Sequence, residues 1–96
     1  MGVPSLSLEV LAVPGSVATA AARVGEFAAA NGAGPHVVAA ISLAIGDAVT
    51  GVSHEEGIEH PGVVRVMADV EDGELEFVVS DGGRGAEVWM RFPLGG

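Results

Sequence analysis

The stretch from Val63 to Ser80 constrains the fold more than any other part of the chain. Val64, Val66, Ala68 and Val70 alternate with Arg65, Met67 and Asp69. After Glu71-Asp72-Gly73-Glu74, Leu75, Phe77 and Val79 alternate with Glu76 and Val78. A two-residue hydrophobic period belongs to a strand with one buried face. Asp-Gly between two such runs signals a tight hairpin, because both turn residues must take positive φ. Asp81 to Gly85 is a glycine-rich connection, and Ala86 to Phe92 is expected to be a last strand, ended by Pro93. A sheet with one apolar face needs a second layer to cover it.

The N-terminal half supplies that layer. Ser5 to Val13 is expected to be a strand, with Leu6, Leu8, Val10 and Ala12 alternating with Ser7, Glu9 and Leu11. Pro14-Gly15 breaks it, and Ser16 is suited to cap a helix by accepting a hydrogen bond from a free first-turn N–H. Val17, Ala20, Val24, Phe27 and Ala28 recur at helical spacing to about Asn31, where Asn31-Gly32 provides a stop. Pro35 opens a second helix at the first-turn position proline prefers, and the helix is expected to reach about Ser53. Its buried stripe is Val38, Ile41, Ile45, Ala48 and Val52. Gly46 is an oddity there, costing roughly 1 kcal/mol against alanine unless close packing requires it. His54 to Gly62 is an acidic loop.

The expected order is therefore β-α-α-β-β-β. It implies an α+β, two-layer sandwich, with two helices on one face of a four-stranded, mostly antiparallel sheet. The 96 residues form a single domain without repeat or linker. The far face of the sheet is expected to carry Glu9, Leu11, Arg65, Met67, Glu76, Val78, Trp89 and Arg91.

Charge narrows the function classes. The net charge is −9, there is no lysine, and the four cations are Arg23, Arg65, Arg84 and Arg91. Nucleic-acid binding needs a basic footprint, and an anionic membrane surface is disfavoured on the same ground. The acidity suits a basic protein partner. The absence of cysteine removes disulfides and thiolate metal sites. No basic segment leads into an apolar run at the N-terminus, and no apolar stretch approaches the roughly 20 residues of a membrane span. A cytoplasmic location is the expectation.

Two clusters bear on chemistry. Asp47, Thr50, Gly51 and His54 share one face of the second helix, opposite its apolar stripe. From pattern alone, a solvated polar face is the favoured explanation of them. Ser80-Asp81-Gly82-Gly83-Arg84-Gly85 follows a strand directly. Its glycines let a ligand approach the backbone, and Asp81 can accept a hydrogen bond from an amino group. A flexible connection between strands is the plain alternative. His36, His54 and His60, with Glu55, Glu56 and Glu59, match no standard zinc spacing, so no metal site is assigned. No serine or threonine lies in a recognisable nucleophile motif. Trp89, Arg91 and Met67 are interface candidates on the far face of the sheet, tryptophan and arginine being favoured at binding hot spots.

Leu43-Ala-Ile-Gly-Asp-Ala-Val-Thr-Gly-Val-Ser-His54 resembles the helix that carries the N-box of histidine-kinase-like ATPases. Leu75-Glu-Phe-Val-Val-Ser-Asp-Gly-Gly-Arg-Gly85 resembles their adenine-binding box, Asp-x-Gly-x-Gly. The branch most similar is the anti-sigma-factor serine/threonine kinases, and the resemblance spans roughly residues 6 to 94. It implies that Asp81 would bond the adenine amino group and that Gly83 and Gly85 would shape the loop around the base. Asp47 occupies the position of the catalytic N-box glutamate. Gly51 occupies that of the asparagine that holds magnesium, and glycine has no side chain with which to ligate it. The family histidine eight residues after the N-box acid is replaced by Glu55, with His54 one place early. After Gly85 the chain enters the closing strand at once, where the family has a mobile lid and a second glycine box.

ATP brings about four negative charges, which a site must meet with cations, amide dipoles or a bridging metal. Arg84 is the only cation in the glycine-rich loop. Losing the metal and the phosphate-binding helix should cost several kcal/mol in binding and more in phosphoryl transfer. The expectation is a regulatory protein-binding domain resembling an anti-sigma factor, with ATP binding weak or lost and no kinase activity. No cofactor is expected, ATP and magnesium entering only if the family activity is retained. The partner would be a sigma factor, an anti-sigma antagonist or a second copy of the chain. The alternative is an active ATP-dependent serine/threonine kinase, or one domain of an assembly whose lid comes from another chain.

Overall fold

A computed structural model describes residues 2–11, 13–55, 62–81 and 87–95. Strand β1 spans Ser5–Leu11, followed by helices α1 (Pro14–Ala30) and α2 (Pro35–Glu55). Strands β2 (Val63–Glu71), β3 (Glu74–Ser80) and β4 (Glu87–Pro93) complete the order expected from the sequence. The four strands form one sheet in the order β1-β2-β3-β4, and every neighbouring pair is antiparallel. Both helices lie on one face, α1 over β1 and α2 over β3 and β4. The molecule is thus an α+β two-layer sandwich, with a radius of gyration of 12.9 Å.

The core is the seam between the layers. Phe77, Leu75 and Val79 from β3, and Val64, Val66 and Ala68 from β2, are buried against Ile41, Ile45, Ala48, Val49 and Val52 of α2. Val24 and Ala28 of α1 close the cluster. Phe77 also stacks on Phe92 of β4, with ring centroids 6.0 Å apart. The period-two reading of β2 and β3 holds residue for residue, because a single slip would expose every apolar side chain on the strand. Asp72 and Gly73 form the hairpin turn with φ of 54° and 77°, the pair of positive angles a two-residue turn of this kind needs.

Helix boundaries differ from the sequence expectation at two places. Ser16 does not cap α1. The N-cap is Val13, without a side-chain cap, and Pro14 takes the first helical position. Proline has no N–H to leave unsatisfied there, so the helix starts three residues earlier than a serine cap would allow. The backbone N–H of Val17 donates to the Val13 carbonyl at 2.9 Å. The other end follows expectation. Gly32 has φ of 104°, Gly32 N–H donates to Ala29 O and Ala33 N–H to Ala28 O, the paired bonds of a left-handed helix stop. At its far end, α2 continues to Glu55 rather than Ser53.

Three features were not anticipated. Gly25 is buried where α1 meets α2, and a Cβ built there would lie 2.8 Å from Ser42 Oγ and 3.3 Å from Val38 Cγ1. Ser42 Oγ donates across the contact to Ala21 O at 3.3 Å. Leu94, just beyond the last strand, is buried in the core, and its N–H donates to Gly73 O. Pro35–Val52 of α2 is apolar and long enough, by length and composition, to cross a membrane, contrary to the reading that no stretch came close. Its valines, isoleucines and leucine, with a single acid, produce that profile, while Ile41, Ile45, Ala48, Val49 and Val52 are engaged with the sheet.

Candidate functional site

The residues of the two clusters differ in their surroundings. Asp47, Thr50 and Gly51 are exposed on the side of α2 turned from its buried stripe, as helical spacing requires when positions 45, 48, 49 and 52 face the sheet. His54 falls within α2, but its side chain lies outside the described residues. A Cβ at Gly51 would meet nothing within 4 Å, so the position has room for a side chain and lacks one. Asp81 sits immediately after β3 and is the one buried charged residue among those described, with 7 % of its surface exposed. It has an interaction within the protein, and no fully buried side-chain nitrogen or oxygen among the described residues is left without a partner. Gly83, Arg84 and Gly85 lie outside the described residues, as do Glu56, Glu59 and His60. Among the described residues, no group of three or more histidine, aspartate or glutamate side chains could hold a metal ion.

A pocket of about 220 Å³ lies at the opposite end of β3 from Asp81. Asp69, Glu71, Asp72, Glu74, Glu76 and Arg91 line it. Five carboxylates against one guanidinium give it the sign opposite to what a triphosphate requires. Arg91 Nη2 donates to Glu76 Oε2 at 2.9 Å, and Arg91 Nε lies 3.8 Å from Glu74 Oε1. The hydrogen bond to Glu76, then the charges of Glu76 and Glu74, hold the guanidinium protonated more firmly than that of a free arginine.

The structure brings Met67, Trp89 and Arg91 together on the face of the sheet that no described element covers, with Glu9, Leu11, Arg65, Glu76 and Val78. Strand register arranges this face in rows, because residues directly opposite in antiparallel strands share a face. One row is Ser7, Met67, Val78 and Trp89. Beside it on the hairpin side runs Ser5, Asp69, Glu76 and Arg91, and on the other side Glu9, Arg65, Ser80 and Glu87. Leu11 and Val63 pair beyond that. The face thus carries an apolar band between two charged ones.

Trp89 is 60 % exposed, Met67 42 %, Leu11 49 % and Val63 51 %. Trp89 Nε1 donates to Glu87 Oε1 at 3.0 Å, two positions along the same strand face. That bond satisfies the indole N–H and leaves the ring as an exposed apolar surface. Arg65 Nη2 donates to Glu9 Oε2 at 2.9 Å across β1 and β2, and the Arg91–Glu76 pair spans β3 and β4 in the same manner. Both pairs are exposed, so each contributes little to stability. They do fix the two charged bands in place. Sequence reading named this face but left Ser5, Ser7, Val63, Asp69, Ser80 and Glu87 off it, and the register adds which residue stands opposite which.

Comparison with known proteins returned no matching family model, no matching curated protein and no matching solved structure.

Proposed function

We propose that the chain is a regulatory protein-binding domain that works through the uncovered face of its sheet and does not transfer phosphate. The observation that carries this reading is the apolar band of Met67, Val78 and Trp89 on a face that no described element covers. A soluble domain rarely leaves a large aromatic beside methionine and valine in one contiguous band without a partner for it. Tryptophan and arginine are also the side chains that dominate binding energy at protein interfaces. On the nucleotide side, Gly51 offers no ligand for a metal, and Asp47 stands exposed on the outer side of its helix. The resemblance to anti-sigma-factor kinases makes a sigma factor or an anti-sigma antagonist the class of partner to try first, in the cytoplasm.

The alternative, an active serine/threonine kinase, has one feature in its favour. Asp81 is buried at the end of β3, where the resemblance would put the adenine contact. Calorimetric titration with ATP and magnesium separates the two. The expected result is no heat at millimolar nucleotide. Submicromolar affinity that disappears in Asp81→Asn would establish the kinase reading instead.

A further inference from the structure

The rows on the uncovered face determine which partner fits it. A second copy of the chain can meet this face about a two-fold axis lying between the two sheets, and two axis directions keep the strands aligned. With the axis parallel to the strands, between β2 and β3, each row lies on itself. Asp69 then faces Glu76 of the other copy and Glu9 faces Glu87, both like-charged confrontations. With the axis across the strands, along the apolar row, each strand lies on its own copy in reverse. The apolar row meets itself, and the two charged rows change places. Asp69 then faces Arg65 of the other copy, Arg91 faces Glu87, Glu76 faces Ser80, and Ser5 faces Glu9. Every charge in these two rows meets an opposite charge or a serine hydroxyl.

We infer that this face is a symmetric dimer interface of the second kind, so that the partner it fits is a second copy of this chain. The inference rests on the protein-binding reading and deepens it by naming the occupant. Met67, Val78 and Trp89 of each copy meet their own counterparts along the axis, from β2 in the interior of the sheet to β4 at its edge. Arg65 lies between its own Glu9 and Asp69 of the other copy, and Arg91 between its own Glu76 and Glu87 of the other copy. Four strands about 4.8 Å apart and seven residues of about 3.3 Å rise give a footprint of roughly 19 by 23 Å. An area of that size belongs to the smaller class of specific interfaces, so the dimer dissociates on dilution. Each copy carries −9, so the copies repel at low ionic strength, and physiological salt, with a screening length of about 8 Å, reduces that repulsion.

The test is sedimentation equilibrium across micromolar concentrations, with Trp89 fluorescence read on the same samples. Trp89 is the sole tryptophan, so its emission reports this face alone. The expected result is a mass that approaches twice 9.5 kDa as concentration rises, with emission shifting to the blue in step. Asp69→Arg and Arg65→Asp are each expected to weaken self-association by about tenfold or more, since each sets like charges face to face. Mixing the two variants should restore a dimer. The new arginine at position 69 in one copy would then face the new aspartate at position 65 in the other, while the native Arg65 and Asp69 still face each other. Circular dichroism checks that these exposed substitutions leave the fold intact.

A monomeric mass throughout, with emission independent of concentration, would overturn the dimer. So would a dimer that both single variants leave intact, or variants that do not rescue each other on mixing. The protein-binding reading has its own test in the ATP titration. A monomer that gives no heat with millimolar ATP would therefore sink this inference and leave that reading standing.

Discussion

Gly25 and Gly46 lie in the two helices, and their surroundings give them opposite roles. Gly25 is the point of closest approach between α1 and α2, where a Cβ would press on Ser42 Oγ and Val38 Cγ1. Gly46 meets nothing within 4 Å, so close packing does not explain it. Gly46→Ala should therefore raise unfolding free energy by about 0.5–1 kcal/mol, because alanine loses less backbone freedom in a helix. Gly25→Leu should lower it by about 2 kcal/mol, the scale of overpacking in a tight contact. Urea denaturation midpoints measure both, and equal shifts of one sign would contradict the helix contact described. The sequence exposes the anomaly at Gly46 but not the need at Gly25. A helical interior glycine looks the same in either case until the neighbouring helix is known.

At the scale of elements, the hairpin between β2 and β3 was the most legible part of the chain. Its signal is local. Alternation on both sides fixes which face is buried, and Asp72-Gly73 fixes the register between them. Gly73→Ala is expected to destabilise the fold by about 1 kcal/mol or more, since φ of 77° is strained for any residue with a Cβ. Thermal unfolding should show a lower midpoint. Replacement at Gly95, where a Cβ has open space, should leave it unchanged. The start of α1 was less legible, because Ser16 is a good cap by type and Pro14 a good first residue by geometry. The structure follows the proline. Leu94 was invisible for a different reason. Its side chain joins the core while its N–H bonds to Gly73 on a turn distant in sequence, and no period in the sequence carries that information.

For the whole molecule, layer order and face polarity were legible, and the candidate site was legible only in part. Met67, Trp89 and Arg91 could be assigned to one face from alternation. Which charge stands opposite which depends on strand register across the full sheet, and that is a property of the assembled fold. The order of the strands has a kinetic consequence. β2, β3 and β4 are joined in sequence, whereas β1 pairs with β2 only after the chain has closed a loop containing both helices, from Leu11 to Val63. Closing that loop costs entropy that the three-stranded meander avoids. The transition state for folding should therefore contain the meander with α2 packed on Phe77 and Val79, while β1 is still detached. Val79→Ala should slow refolding, with a φ-value above about 0.5, and Leu8→Ala should mainly speed unfolding, with a φ-value near zero. β1, the first of the four strands in chain order, would then be the last to dock.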